Sequence, residues 1–89
     1  MKRVRAIISG RVQGVWFRAS TLEKALEYGV CGTVRNLVDG RVELVAEGED
    51  EQVDQLLRWA GNGPPMAAVD RVDLEDLPGD KEFSDFRIH

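Results

Sequence analysis

The sequence predicts an α+β fold in which two helices lie on one face of an antiparallel sheet. Three observations support this. Several short segments alternate apolar with polar residues, two longer ones repeat apolar residues at helical spacing, and the order is strand, helix, strand, strand, helix, strand. The 89 residues suffice for one domain with one core. A chain this short buries roughly 60–70% of its unfolded surface, enough to fold without disulfide or metal staples.

In the first strand Val4, Ala6, Ile8 and Val12 alternate with Arg5, Ser9 and Arg11, although Ile7 interrupts the polar face. From Phe17 to Tyr28 the period becomes helical. Leu22, Ala25 and Leu26 share one face, Glu23, Lys24 and Glu27 the other, and Gly29 supplies a C-cap. Two starts fit this helix. Ser20 with Glu23 matches a capping box that would open it near Thr21, whereas Phe17 extends the apolar stripe one turn back. The longer helix is preferred.

GTVRNLVDGRVELVAEG reads as a β-hairpin around Asp39-Gly40. A two-residue loop would pair Arg35 with Leu44 and Asn36 with Glu43, mixing buried and exposed types. A three-residue loop, Val38 to Gly40 with Gly40 left-handed, pairs Val34 with Leu44 and Asn36 with Val42. It also sets Arg35 against Glu43, a favourable cross-strand charge pair. The second register sorts the faces cleanly and places Asn36 on the inner face with Val34, Val42, Leu44 and Ala46. A polar group left unpaired there costs roughly 1–3 kcal/mol, so the simplest role for Asn36 is a backbone hydrogen bond near the hairpin end.

Glu49, Asp50 and Glu51 suit a helix N-terminus, Val53, Leu56, Leu57 and Ala60 repeat at helical spacing, and GNGPP ends the helix. RVDLEDLP and EFSDFRIH supply two short strands on either side of Pro78-Gly79. The order is β-α-β-β-α-β with a short extra terminal strand, the ferredoxin-like α/β sandwich. That fold alone names no function.

Charge is unevenly placed. Residues 1–41 hold eight Lys and Arg against three Asp and Glu, and residues 42–89 hold four against thirteen, for a net of −4. An acidic chain is a poor nucleic-acid binder, because phosphate-backbone affinity needs a broad basic surface. A small anion needs only one positive spot. No apolar stretch is long enough to span a bilayer, and MKRVRAIISG has too short an apolar run for a secretion signal. Cys31 is the single cysteine, which suits a reducing cytoplasm and reads as a small buried hydrophobe.

The most informative stretch is Gly10 to Arg18, GRVQGVWFR. It has neither the Gly-Lys-Ser/Thr of a Walker loop nor the third glycine of a dinucleotide fingerprint. A strand that turns through glycines into a helix start nevertheless presents N–H groups with no helical acceptor, and the helix dipole adds positive potential there. Arg18 falls in the first helical turn, where its fork can hold two phosphoryl oxygens. Read blandly, a first-turn arginine is a solvated surface residue. The remaining inventory is poor in catalysts. His89 is terminal, with fraying and solvation expected, no histidine lies near Cys31, Ser9, Ser20 or Thr21, and no cluster has metal-ligand spacing.

GRVQGVWFR resembles the acylphosphatase signature Gly-x-Val-Gln-Gly-Val-x-Phe-Arg at every fixed position. GTVRNLVDGRVE resembles the second signature of that family, Gly-x-Val-x-Asn followed by Asp-Gly-x-Val, and the likeness continues through GPP and DFRI. The resemblance implies a single acylphosphatase-like domain over residues 1–89. It implies hydrolysis of the carboxyl–phosphate bond of acyl phosphates to a carboxylate and inorganic phosphate, with no cofactor and no metal. Arg18 matches the family's phosphate-binding arginine and Asn36 its water-orienting asparagine. Arg11, Val12, Gln13, Gly14, Val15, Trp16 and Phe17 correspond to its phosphate cradle of backbone N–H groups. Thr33 stands where an aromatic is frequent, and Trp16 occupies a variable position. A cytoplasmic monomer with small-molecule partners, no nucleic acid and no membrane is expected. Two other readings compete with turnover. Hydrogenase-maturation proteins carry a similar N-terminal domain, so the chain could bind a phosphoryl group without hydrolysing it efficiently. A ferredoxin-like RNA platform is the second, but no Gly-Phe/Tyr-Gly-Phe-Val segment occurs.

Overall fold

The structure, a computed structural model, describes all 89 residues. Its elements are β1 (Lys2–Arg11), α1 (Phe17–Tyr28), β2 (Cys31–Asn36), β3 (Val42–Gly48), α2 (Asp50–Ala60), β4 (Ala68–Asp76) and β5 (Phe86–Ile88). The strands form one sheet in the order β4-β1-β3-β2-β5. The first four pair antiparallel, and the extra terminal strand β5 adds parallel to β2, which makes the whole sheet mixed. The direction follows from the path of the chain. β4 ends where Asp76 faces Val4, and the connection then crosses to the far edge, so β5 runs back the way β2 runs.

The helix-facing side chains of the sheet, Val4, Ala6, Ile8, Val34, Val42, Leu44 and Ala46, are all buried against Phe17, Ala25, Val53, Leu56 and Ala60. Each large apolar side chain removed from water contributes roughly 1.5–3 kcal/mol, which is what holds the helices to the sheet. The α1 stripe differs from the predicted one. Phe17, Thr21 and Ala25 form its buried face, while Leu26 is 68% exposed. Thr21 is tolerated inside because its hydroxyl donates to the Phe17 carbonyl at 2.7 Å. The longer helix is the observed one, and Ser20 N–H donates to the Trp16 carbonyl, so the alternative capping box does not form.

The hairpin has the three-residue loop. Val34 faces Leu44, Arg35 faces Glu43 and Asn36 faces Val42, with Gly40 at φ 96°. On the open face of the sheet the Glu43 carboxylate accepts from Arg35 Nε at 2.8 Å and from Arg5 Nε at 2.7 Å. Burial pushes its pKa up, and the two guanidinium hydrogen bonds outweigh that, leaving it below the usual glutamate value. Cys31 is half-buried on the same face.

One irregularity positions everything that follows. β1 stays paired with β3 only as far as Ile8 opposite Val42, then shifts register against β4 between Ser9 and Gly10. Gly10 lies at φ 124°, and a Cβ there would sit 2.2 Å from the Ala68 carbonyl oxygen. Only glycine permits that approach. With β1 drawn toward β4 beyond Ile8, the sheet opens beside the hairpin, and the chain from Val12 to Trp16 turns over the gap before entering α1.

Candidate active site

A cleft of about 370 Å³ occupies this gap, lined by Val12, Gly14, Trp16, Phe17, Arg18, Ala19, Asn36 and Ile88. Its floor is apolar, with Val12 and Phe17 almost fully buried. The turn is forced by backbone conformations that side chains rarely adopt. Gly14 has φ 73°, and Trp16, the N-cap of α1, has φ 67° and ψ 18°, the single non-glycine residue with positive φ. Such a conformation costs roughly 1–2 kcal/mol in a residue with a Cβ.

The turn leaves a row of free donors. None of the main-chain N–H groups from Val12 to Ala19 has an acceptor within the protein, and no side chain caps α1. At a helix start these amides carry the positive end of the helix dipole. Arg18 adds the one charged side chain in the cleft lining, which includes no Asp or Glu. Its Nη1 donates to the main-chain oxygen of His89 at 3.1 Å, and His89 N–H in turn donates to the Val34 carbonyl at 2.9 Å. The terminal residue is therefore tied down at its backbone, against the expected fraying, because it continues the β5 ladder beside Val34. Ile88 joins the cleft by the same path.

Asn36 lies at the last rung of β2, on the opposite wall. The register puts it on the inner face as predicted, yet it is exposed, because the cleft lies over this end of the hairpin. Its carboxamide makes no hydrogen bond within the protein, so the predicted backbone bond is not formed and the group faces the cleft free. Not every cradle residue contributes a side chain. Arg11 is exposed and its backbone pairs with Ala68, and Val15 is buried in the core. Gln13 turns toward the hairpin and donates to the Leu37 carbonyl at 2.7 Å and to the Arg41 carbonyl at 2.9 Å. Sequence reasoning missed Ala19, Ile88 and the backbone of His89. Ala19 was findable as the third position of a helix whose first-turn amides are free. Nothing local in the sequence marks the other two, which arrive through the crossover to β5.

The family model described as Acylphosphatase matches residues 4–88. The chain belongs to the acylphosphatase family. An acylphosphatase of Methylococcus capsulatus is 54% identical over 88 residues, which cover 99% of this chain and 96% of that one. Two solved structures agree in the whole fold. The acylphosphatase of Coxiella burnetii superposes with a TM-score of 0.93 at 43% identity, over 99% of this chain and 92% of that one. That of Bacillus subtilis gives 0.95 at 32% identity, over 100% and 99%. Acylphosphatase family membership makes this chain a hydrolase and agrees with the ferredoxin-like sandwich predicted from patterning. No helix is long and apolar enough to cross a membrane.

Proposed function

We propose that the chain hydrolyses the carboxyl–phosphate bond of acyl phosphates to a carboxylate and inorganic phosphate, with the phosphoryl group held at the mouth of α1. The observation that carries this reading is the convergence, in one cleft lined by no Asp or Glu side chain, of unpaired amides, one guanidinium and one unpaired carboxamide. The amides between Val12 and Ala19, with the Arg18 fork, hold the non-bridging oxygens. Arginine suits this task because it stays protonated at any working pH and binds two oxygens in one plane.

An acyl phosphate already has a good leaving group, so the protein need not protonate it. Its work is positioning and electrostatic stabilisation of a trigonal-bipyramidal or metaphosphate-like state. Asn36, across the cleft from Arg18, holds a water in line with the departing carboxylate, its carbonyl accepting a hydrogen bond from one O–H of that water, whose proton stays on the new P–OH. The other proton passes to a phosphoryl oxygen of the substrate as the new P–O bond forms. The P–O bond to the acyl oxygen breaks with its electron pair on the carboxylate. This division of labour accounts for a site without histidine, cysteine or paired acids.

The test is steady-state turnover of benzoyl phosphate by the wild type and Asn36→Ala, with inorganic phosphate as inhibitor. Asn36→Ala is expected to keep its phosphate inhibition constant within about threefold while kcat falls about 10²–10³, the loss typical of one aimed group. Near-normal kcat in that variant removes Asn36 from the water-positioning role. No turnover of any acyl phosphate by the wild type leaves a phosphoryl-binding module instead.

A further inference from the structure

We propose that Gln13 is a positioning residue that sets Asn36 against the phosphoryl cradle by clamping the hairpin turn. The inference rests on the water-positioning reading of Asn36. The cradle and the hairpin belong to separate parts of the chain, and the sheet no longer joins them at this end, since β1 parts from β3 after Ile8. The free amides of Val12 to Ala19 make no backbone hydrogen bond to the hairpin either. The link through Arg18, His89 and the Val34 carbonyl runs by way of β5, and what spans the gap directly to the hairpin turn is one side chain. Gln13 Nε2 donates both of its protons, one to the Leu37 carbonyl at 2.7 Å and one to the Arg41 carbonyl at 2.9 Å.

Those two carbonyls are the two ends of the turn. Leu37 N–H donates to the Arg41 carbonyl at 2.8 Å, and Gly40 N–H donates to the Leu37 carbonyl at 3.2 Å. Gln13 therefore grips the turn at both stems at once, and Leu37 is the residue next to Asn36. A carboxamide is the group that can do this, because its NH₂ offers two divergent donors without a charge. An ammonium would add a charge to the cleft rim, and a carboxylate would turn its oxygens on two carbonyls. The geometry also gives Gln13 a reason to be in the loop that is separate from its backbone amide. With the clamp gone, the hairpin end is free to move by a fraction of an ångström relative to the bound phosphoryl group, enough to misplace a water.

The test is a double-mutant cycle with benzoyl phosphate as substrate, using wild type, Gln13→Met, Asn36→Ala and the double variant. Methionine keeps the length of the side chain and removes both donors. Gln13→Met is expected to lower kcat about 10- to 30-fold, and to lower it less than twofold in the Asn36→Ala background, because the clamp then positions nothing. An equal loss in both backgrounds, or no loss in the wild-type background, overturns the proposal while leaving the role of Asn36 intact. Near-normal turnover by Asn36→Ala overturns both. A measurement on the unmodified protein guards against a variant that fails to fold. Scalar couplings across hydrogen bonds should link the Gln13 carboxamide nitrogen to the Leu37 and Arg41 carbonyl carbons, and their absence in solution counts against the clamp.

Discussion

Arg3 Nε donates to Glu47 Oε2 at 2.7 Å, in a pair whose side chains are 7% and 0% exposed on the face of the sheet away from the helices. The crossover from β4 to β5 closes over it. Glu82 and Phe83 N–H donate to Glu47 Oε1 at 2.9 Å each, and Arg3 also donates to the Pro78 carbonyl. Burial raises the Glu47 pKa, and the Phe83 amide, the Arg3 guanidinium and the Glu82 amide outweigh it, so the carboxyl titrates below its ordinary range. A depressed carboxylate stabilises the fold fully above its unfolded pKa of about 4.3, and that contribution is lost as pH falls through the lower folded value. Glu47→Gln removes the buried carboxylate beside Arg3, leaving it the Pro78 carbonyl and the exposed Glu82 carboxylate at 3.5 Å, and should cost about 3 kcal/mol at neutral pH. The gap between wild type and variant in urea melts should narrow steadily below about pH 4. A gap that stays constant down to pH 2 contradicts the assignment.

Arg18→Ala should lower kcat/KM for benzoyl phosphate by about 10³ and Arg18→Lys by about 10². A lysine ammonium is a point charge that cannot hold two oxygens in a plane or keep the second contact to the main-chain oxygen of His89. Arg18 is half-exposed, so urea midpoints should move little in either variant. A lysine variant with wild-type turnover would show that charge alone suffices.

Inorganic phosphate and sulfate should inhibit competitively, since both offer tetrahedral oxygens to the free amides at the start of α1. Inhibition should weaken with Arg18→Ala. Turnover should survive excess chelator, and recovery only on adding a divalent cation would count against the proposed chemistry.

The sequence disclosed the fold through patterns that are local. Alternation marked β1, the charge pairing of Arg35 with Glu43 chose the hairpin register, and Gly40 marked the turn. The N-terminal wall of the cleft was legible for the same reason, as one continuous stretch from Val12 to Arg18. Contacts made by chain crossover were not legible. The packing of Glu47 beneath residues 82 and 83, the tether of His89 and the presence of Ile88 in the cleft depend on where β5 lands. The direction of the Gln13 side chain was hidden because it depends on how far β1 parts from β3. Leu26 was misplaced because the helical period admits a neighbouring stripe, and the packing of Phe17, tilted against Trp59 at 5.6 Å between ring centroids, chose between them.

Trp16 separates stability from function most sharply. Its left-handed backbone costs about 1–2 kcal/mol for a residue with a Cβ, and its side chain, 75% exposed, recovers little by burial. Trp16→Gly removes that strain but adds chain entropy to the unfolded state worth roughly 0.5–1 kcal/mol. The net expectation is a gain of about 0.5–1 kcal/mol in urea melts. Trp16→Val should lose stability instead, since a β-branched side chain tolerates positive φ least. The same glycine loosens the amides on either side of it, so the cradle must be ordered when phosphate binds, and the inhibition constant should rise about two- to fivefold. A Trp16→Gly variant that is both less stable and a tighter phosphate binder would mean that the indole itself, and not the turn it occupies, shapes the site.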